Sequence, residues 1–378
     1  MATALVNPLP TIHPVYDPLI VALADPGDPA SGRTGQSLVE VQLEIEDVLN
    51  SDSWRLIGEY LNPYNYDTDK AQVNLNQALI GALDHFIPDL TSSGKQAITG
   101  TIKRYRLKAR DVVDGEAQGS FATLGPALAW LAGNPYPQIE TNLLDGKAYL
   151  LLSSRTLARR LHPHETISLQ VLPVVSGTPT RRIKANFTDG TDQTDTTALS
   201  AATALVPFYL NITLPNYVKA VRSLEIDFTG LTGTAEKLIY WMIQKPSPYF
   251  RQLFYCNSLG GLDHLALTGK CEEINQPISE LFEAQEYPPT NAQRGNTRAF
   301  NQRAVDSLVL RTGYMSEDEL RSLRDLTLRN EVYIQEGNAL RKLILNNSQW
   351  RVKTDGDFLH ALEVTARYAW EEKAYSRS

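Results

Sequence analysis

Pro248-Tyr249-Phe250-Arg251-Gln252-Leu253-Phe254-Tyr255-Cys256-Asn257-Ser258-Leu259-Gly260-Gly261-Leu262-Asp263-His264-Leu265-Ala266-Leu267-Thr268-Gly269-Lys270 is an aromatic and aliphatic run, a glycine-bearing turn and a second apolar run. That order predicts strand, tight turn, strand. Gly260 and Gly261 permit a positive φ or a close backbone approach, so the turn can be sharp or lie against a partner. Tyr255 and Leu265 are expected to build a sheet core. The turn residues Asn257, Gly260 and Gly261 are expected to be buried at a contact between subunits.

The same pattern recurs on both sides. Val39, Val41, Leu43 and Ile45 alternate with Glu40, Gln42, Glu44 and Glu46, the period of a half-buried strand. Between Thr101 and Val113, Tyr105, Leu107 and Ala109 alternate with Arg104, Arg106, Lys108 and Arg110. One outer face is acidic and the other basic, so the two strands are expected to be neighbours whose charges pair across the sheet. Further strands are predicted at Trp54–Leu61, Ala148–Ser153, Glu165–Val175, Arg182–Phe187, Ala204–Thr213, Ser223–Phe228, Lys237–Ile243, Arg298–Tyr314, Glu331–Gln335, Ala339–Trp350 and Leu359–Trp370. Gln118–Pro137 reads as a small-residue connection. Two helices stand out: Gln77–Phe86, with Leu79, Ile80, Leu83 and Phe86 on one face and Pro88 as its stop, and a segment near 316–328. In the latter, Ser316 and Glu319 form a capping box and Leu320, Leu323 and Leu326 a core stripe.

The fold class is therefore mainly β, with two β-sandwich-like domains, a few short helices and an extended N-terminal arm. The proline-rich residues 1–35 form the arm, in which Pro8, Pro10 and Tyr16 are candidates for gripping a second subunit. Residues 36–187 form the first domain, 188–197 a linker or exposed loop, and 198–378 a second β-rich domain with the capped helix. Exposed loops near 188–197 and 283–297 are further contact candidates.

Composition narrows the function classes. A hydrophobic fraction of 42% and a charged fraction of 21% fit a folded chain. A net charge of −7 gives no support for a nucleic-acid partner. The uncharged run Thr196–Val218 is long enough to span a bilayer, but Pro207, Pro215, Asn211 and Asn216 leave groups that hydrocarbon cannot satisfy, so strands and no membrane span are expected. The N-terminus has no secretory signature, which points to synthesis in the cytoplasm. Cys256 and Cys271 are the two cysteines and form no disulfide framework.

The chemistry-bearing motifs are sparse. Ser93-Gly94-Lys95 and Thr268-Gly269-Lys270 lack the glycine-rich lead and following hydroxyl of a phosphate loop, and no dinucleotide fingerprint or nucleophile elbow occurs. His162-Pro163-His164 has no third ligand at metal spacing, and Asp189, Asp192 and Asp195 lack the alternation of a calcium loop. Asp84-His85 and Asp263-His264 are sequence neighbours, which does not place their side chains in catalytic geometry. No catalytic residue, cofactor or metal site is expected, and a non-enzymatic protein follows.

Phe254-Tyr255-Cys256-Asn257-Ser258-Leu259-Gly260-Gly261-Leu262-Asp263, Arg311-Thr312-Gly313-Tyr314 and Leu362-Glu363-Val364-Thr365-Ala366-Arg367-Tyr368-Ala369-Trp370 resemble virion structural proteins of phages and prophages infecting Bacteroidetes, of the tail-associated or baseplate-like kind. The resemblance covers mainly residues 240–378, with a looser echo at Val73–Pro88 and Ser120–Leu131. It implies a virion location, copies of the same chain and other tail proteins as partners, and contacts in which one surface meets a different surface on the next copy. The alternative is a receptor- or glycan-binding module of a virion, with exposed Tyr and Trp as stacking platforms. Trp54, Trp130, Trp241, Trp350 and Trp370 fall mostly in apolar patterns, which predicts core packing for most of them.

Overall fold

The computed structural model describes residues 4–7, 9–10, 12–17, 19–24, 37–65, 70–92, 94–133, 144–214, 217–243, 245–283, 297–328, 331–346 and 360–369. Strands dominate them, and three short helices accompany five sheets. The expected mainly β, sandwich-like class is what the chain adopts.

The first unit grows from β4 (Ser37–Glu46), whose Val39, Val41, Leu43 and Ile45 are fully buried. Its neighbour is the predicted basic strand, β8 (Ile102–Val113), antiparallel and in a register that sets Glu40 opposite Arg110 and Glu44 opposite Arg106. The charges pair as expected. Glu44 accepts from Arg106 at 2.6 Å and from Lys108 at 2.7 Å, and Glu40 from Arg110 at 2.7 Å. β5 (Trp54–Pro63), β9 (Glu116–Trp130) and β2 (Ile12–Pro14) complete a five-stranded sheet in the order β2-β9-β8-β4-β5. A three-stranded sheet of β1 (Ala4–Leu5), β3 (Ile20–Ala24) and β6 (Lys70–Asn74) covers its apolar face.

Three expectations change here. The N-terminal segment is not a free arm, because β1, β2 and β3 are built into these sheets and Val15, Leu19, Val21 and Leu23 are buried in the unit's own core. Its prolines punctuate strands of two to five residues instead of preventing them; Pro14 closes β2 on a sheet edge. Pro8 and residues 25–36 lie outside the described residues. The small-residue connection at Gln118–Pro137 is largely β9. Register shifts against β8, between Tyr105 and Leu107 and between Ala109 and Asp111, interrupt the period of two and hide the strand. The first helix, α1 (Asn76–Ala82), ends well before Pro88: Leu83 is already extended.

The second unit is a sandwich of two sheets. One runs β10 (Tyr149–Leu151), β12 (Ile167–Pro173), β15 (Phe208–Ile212) and β7 (Lys95–Ala97). The other runs β11 (Ala158–Leu161), β17 (Leu238–Met242), β16 (Val221–Thr229), β13 (Thr180–Phe187) and β14 (Asp192–Ala198). Leu169, Val171, Phe208, Ile183, Ile226 and Phe228 fill the space between them. Both sheets cross the boundary expected at 188–197: β12 pairs β15 and β13 pairs β16. That stretch is the turn and exposed outer strand of a hairpin, since Thr and Asp can pair as an edge while their side chains stay in water. Thr196–Val218 contributes part of β14 and all of β15, and among the described residues no helix is long and apolar enough to cross a membrane.

The third unit is a seven-stranded antiparallel sheet: β19 (Leu262–Leu267), β18 (Arg251–Cys256), β22 (Val332–Glu336), β23 (Ala339–Leu345), β24 (His360–Tyr368), β21 (Thr297–Met315) and β20 (Glu272–Glu283). The hairpin that opened the reading pairs Cys256 with Leu262, and Tyr255 and Leu265 are buried in the core. The capping box forms, with Ser316 and Glu319 bonded reciprocally, but the helix is divided into α2 (Glu317–Arg321) and α3 (Arg324–Leu328). Leu320, Leu323 and Leu326 all reach the sheet. Residues 284–296 and the Asp355-Gly356-Asp357 turn lie outside the described residues.

Glu44 provides a test of the charge ladder. Burial pushes its carboxyl up, yet the hydrogen bonds from Lys108 and Arg106 outweigh that and hold it below the ordinary glutamate value. The contribution of Glu44 is therefore full above its unfolded-state pKa and is lost as pH falls through its lower folded-state pKa. Glu44→Gln is expected to lower the unfolding free energy at neutral pH by about 2 kcal/mol in urea titrations. Glu59→Gln, on the edge strand, is expected to cost less than about 0.5 kcal/mol.

Candidate functional site

The glycine turn is where the three units meet. Asn257 organises it: its Oδ1 accepts from the Leu259 and Gly261 amides at 3.0 and 2.9 Å, and its Nδ2 donates to the Leu152 carbonyl and to Asp263, both at 2.9 Å. Gly133, after β9, donates its amide to the Ser258 carbonyl at 2.7 Å, and Asp325 on α3 accepts the Ser258 amide at 2.7 Å. No side chain fits. A Cβ on Gly260, whose φ is +73°, would lie 2.4 Å from the Leu131 carbonyl oxygen, and one on Gly261 would lie 1.9 Å from that of Leu152.

This changes the role expected for the turn. Asn257, Gly260 and Gly261 are brought together as predicted, but the chain's own backbone covers them, so they are not subunit contacts. Tyr16 is also held internally: its amide donates to the Ala132 carbonyl at 2.9 Å and its side chain packs on the first core. Pro10 is exposed and Pro8 lies outside the described residues.

A buried polar cluster lies beneath the turn, between the second and third units. Asp263 accepts from Ser153 Oγ, from the Ser154 amide at 3.0 Å, from Ser154 Oγ at 3.2 Å and from Asn257. Arg159 approaches it to 3.9 Å and donates to the Tyr240 hydroxyl at 2.7 Å. On the other face of β19, His264 lies 3.4 Å from Glu165, whose second oxygen accepts the His162 amide at 3.0 Å. Gln252 exchanges two hydrogen bonds with the Thr166 backbone. Burial holds the Glu165 carboxyl above the ordinary range, and burial together with the charges of Arg159 and Arg155 holds His264 well below its own. Asp263, Asn257, Arg159, His264, Glu165 and Gln252 are buried, while Ser153, Ser154 and Thr166 are half-buried at the rim. Asp263 and His264 point to opposite faces of their strand; Asp263 is hydrogen-bonded, whereas neither ring nitrogen of His264 has a hydrogen-bond partner among the described residues.

The remaining sequence candidates are similarly occupied. His162 stacks on Phe250 with ring centroids 4.3 Å apart and accepts the Ser247 amide at 3.0 Å. Among the described residues, no three His, Cys, Asp or Glu side chains gather to hold a metal. Cys256 is buried, Cys271 is half-buried, and both are free thiols. The sequence reading missed Arg155 and Glu165, which lie in short loops, and Arg159, which lies in β11, a strand of four residues too short to display a period.

Two surface features contrast with this sealed junction. An open cleft of about 530 Å³ at one end of the second sandwich is lined by His164, Asn211, Leu214, Tyr217, Val221 and Met242 among others. The second feature is a ribbon. β24 pairs β21 only from Ser307 to Met315, whereas β20 follows β21 out to the Glu283–Thr297 pair. Nine residues of β20, Asn275–Glu283, therefore extend with β21 beyond any third strand among the described residues, for about 30 Å at the usual rise. Glu272–Gln276 and Ser279–Leu281 are exposed on both faces, Leu281 to 66%.

No family model matches the chain, and no curated protein matches it.

The junction makes a sharp prediction about its glycines. Gly261→Ala drives a methyl group into a carbonyl and is expected to abolish folding or cost more than about 4 kcal/mol. Gly337→Ala, at a turn with a φ of +60° and open space around it, is expected to cost about 1–2 kcal/mol. Soluble yield and urea midpoints of the two variants check this difference.

Proposed function

We propose that the protein is a non-enzymatic structural component of a phage tail or phage-like particle, in the tail-tip or baseplate region, acting through contacts with copies of itself and with other tail proteins. The observation that carries this reading is the β20–β21 ribbon. A two-stranded hairpin is marginal in water by itself, and an exposed edge strand is a template for another chain. Its two faces, each about 30 Å by 10 Å, amount to about 600 Å², approaching the roughly 800 Å² per partner of a standard interface. The ribbon replaces the N-terminal arm and the glycine turn as the element expected to reach a neighbour. A folded body with a projecting ribbon suits a heterologous contact, in which the ribbon meets a different surface of the next copy.

Acidic side chains also argue against two ribbons pairing edge to edge. Glu272, Glu273, Glu280 and Glu283 share β20, and like charges set opposite each other are destabilising. The resemblance at the hairpin, Arg311–Tyr314 and Leu362–Trp370 supplies the particle type; the ribbon supplies the mode of contact.

A second reading, receptor or glycan binding at the virion surface, draws on aromatic exposure. Trp130 is buried in the core, but Trp241, Tyr249 and Tyr314 are exposed.

Electron micrographs of the purified full-length chain, with sedimentation across concentrations, test the assembly reading. Discrete rings are expected. Replacing residues 276–305 by an Asn-Gly turn is expected to leave a folded chain that melts within a few degrees of the parent and stays monomeric. Rings that persist without the ribbon would overturn the mode of contact, and absence of the chain from purified particles would overturn the location.

A further inference from the structure

Arg155 is a buried cation that acts on Glu165 through space and keeps one donor without a hydrogen bond. It is 6% exposed, donates to the His264 carbonyl at 2.6 Å, and has no hydrogen-bond partner at Nε. Its neighbours Arg159 and Arg160 approach Asp263 and Glu319 at 3.9 and 3.8 Å, while Arg155 has no ion-pair partner among the described residues. A charge removed from water is costly unless an opposite charge meets it, and a buried donor without a partner calls for an ion, a water or a ligand.

Space for such a group adjoins it. A crevice of about 40 Å³ between the second and third units is lined by Arg155, Arg160, Ile243, Thr268, Thr312 and Glu319 among others. At about 10–15 Å³ per water-sized atom it holds about three, the heavy-atom count of a carboxylate. Glu319 is already engaged, since its Oε2 accepts from the Ser316 amide at 3.0 Å and from the Ser316 hydroxyl at 3.1 Å.

Two exposed aromatic residues adjoin Arg160. Arg160 pairs with Trp241 in the β11–β17 ladder and donates to the Tyr314 carbonyl at 3.1 Å. Trp241 is 45% exposed and Tyr314 70%. We propose that this crevice is a carboxylate-binding site, in which Arg155 and Arg160 take the carboxylate and Trp241, beside Arg160 in the ladder, meets the group attached to it. Guanidinium N–H groups match carboxylate oxygens in geometry and charge. The carboxylate can come from an acidic sugar, whose ring stacks on an aromatic face, or from an acidic peptide side chain. The site stands on Arg155 and the crevice, independently of the assembly reading.

The test is thermal unfolding of the full chain titrated with sodium glucuronate, sodium N-acetylglutamate, methyl glucoside and sodium chloride at matched ionic strength. Saturable stabilisation by a carboxylate, with none from chloride or methyl glucoside, is expected. Arg160→Gln, at a half-exposed position, is expected to weaken the apparent affinity at least about tenfold. A preference for glucuronate that Trp241→Ala removes assigns an acidic sugar. A preference for N-acetylglutamate assigns a peptide carboxylate. Identical melting curves in all four solutes, or an undiminished response in Arg160→Gln, would overturn the site.

Discussion

The architecture depends on one buried carboxylate. Asp263 lies at 2% exposure and is satisfied by Ser153, Ser154 and Asn257, which come from the loop after β10 and from the glycine turn. Removing a carboxylate from water is repaid only when its oxygens are fully bonded, so those two segments have one mutual placement that satisfies Asp263. The turn then has to lie against Leu131 and Leu152 so closely that only glycine fits at 260 and 261. The polar groups around it fix how the second and third units face each other, and the hydrophobic cores on either side supply most of the stabilisation.

How far the sequence revealed this depends on what each residue's neighbours were. The β4–β8 pairing was legible because its information is local: alternation gives the faces, and opposite charge on the two outer faces gives the partner. The capping box was legible for the same reason, as Ser316 and Glu319 are three residues apart. β9 was not, because register shifts against β8 break the alternation. The N-terminal strands were not, because β2 and β3 are held by β9 and β6, at 116–130 and 70–74, and no short window contains both partners. The residue types of the turn were read correctly, but their burial against 131–133 and 152 is a tertiary fact that no spacing encodes.

The molecule separates its tasks spatially. At the junction, Asn257, Asp263, His264 and Glu165 are buried within the chain, which leaves them no access to a partner. The ribbon is the reverse, with exposed side chains on both faces and, among the described residues, a ladder on one side only. Stability concentrated in the body lets the projecting strands carry composition chosen for contact, since changes there leave the cores untouched.

β7 has a consequence in time. Lys95–Ala97 lies between elements of the first unit yet pairs with Phe208–Leu210, and Lys95 reaches the Ala201 carbonyl at 2.7 Å. The ribosome releases it about 110 residues before its partner strand, roughly 5–20 s at ordinary elongation rates. Through that interval the first unit carries an unpaired strand segment, and the second sandwich cannot close its four-stranded sheet until both pieces are present. The two units therefore complete folding together, and the loop-closure entropy of a contact that distant makes this step slow relative to the local hairpins. A chain organised in this way is most exposed to misassembly midway through its synthesis.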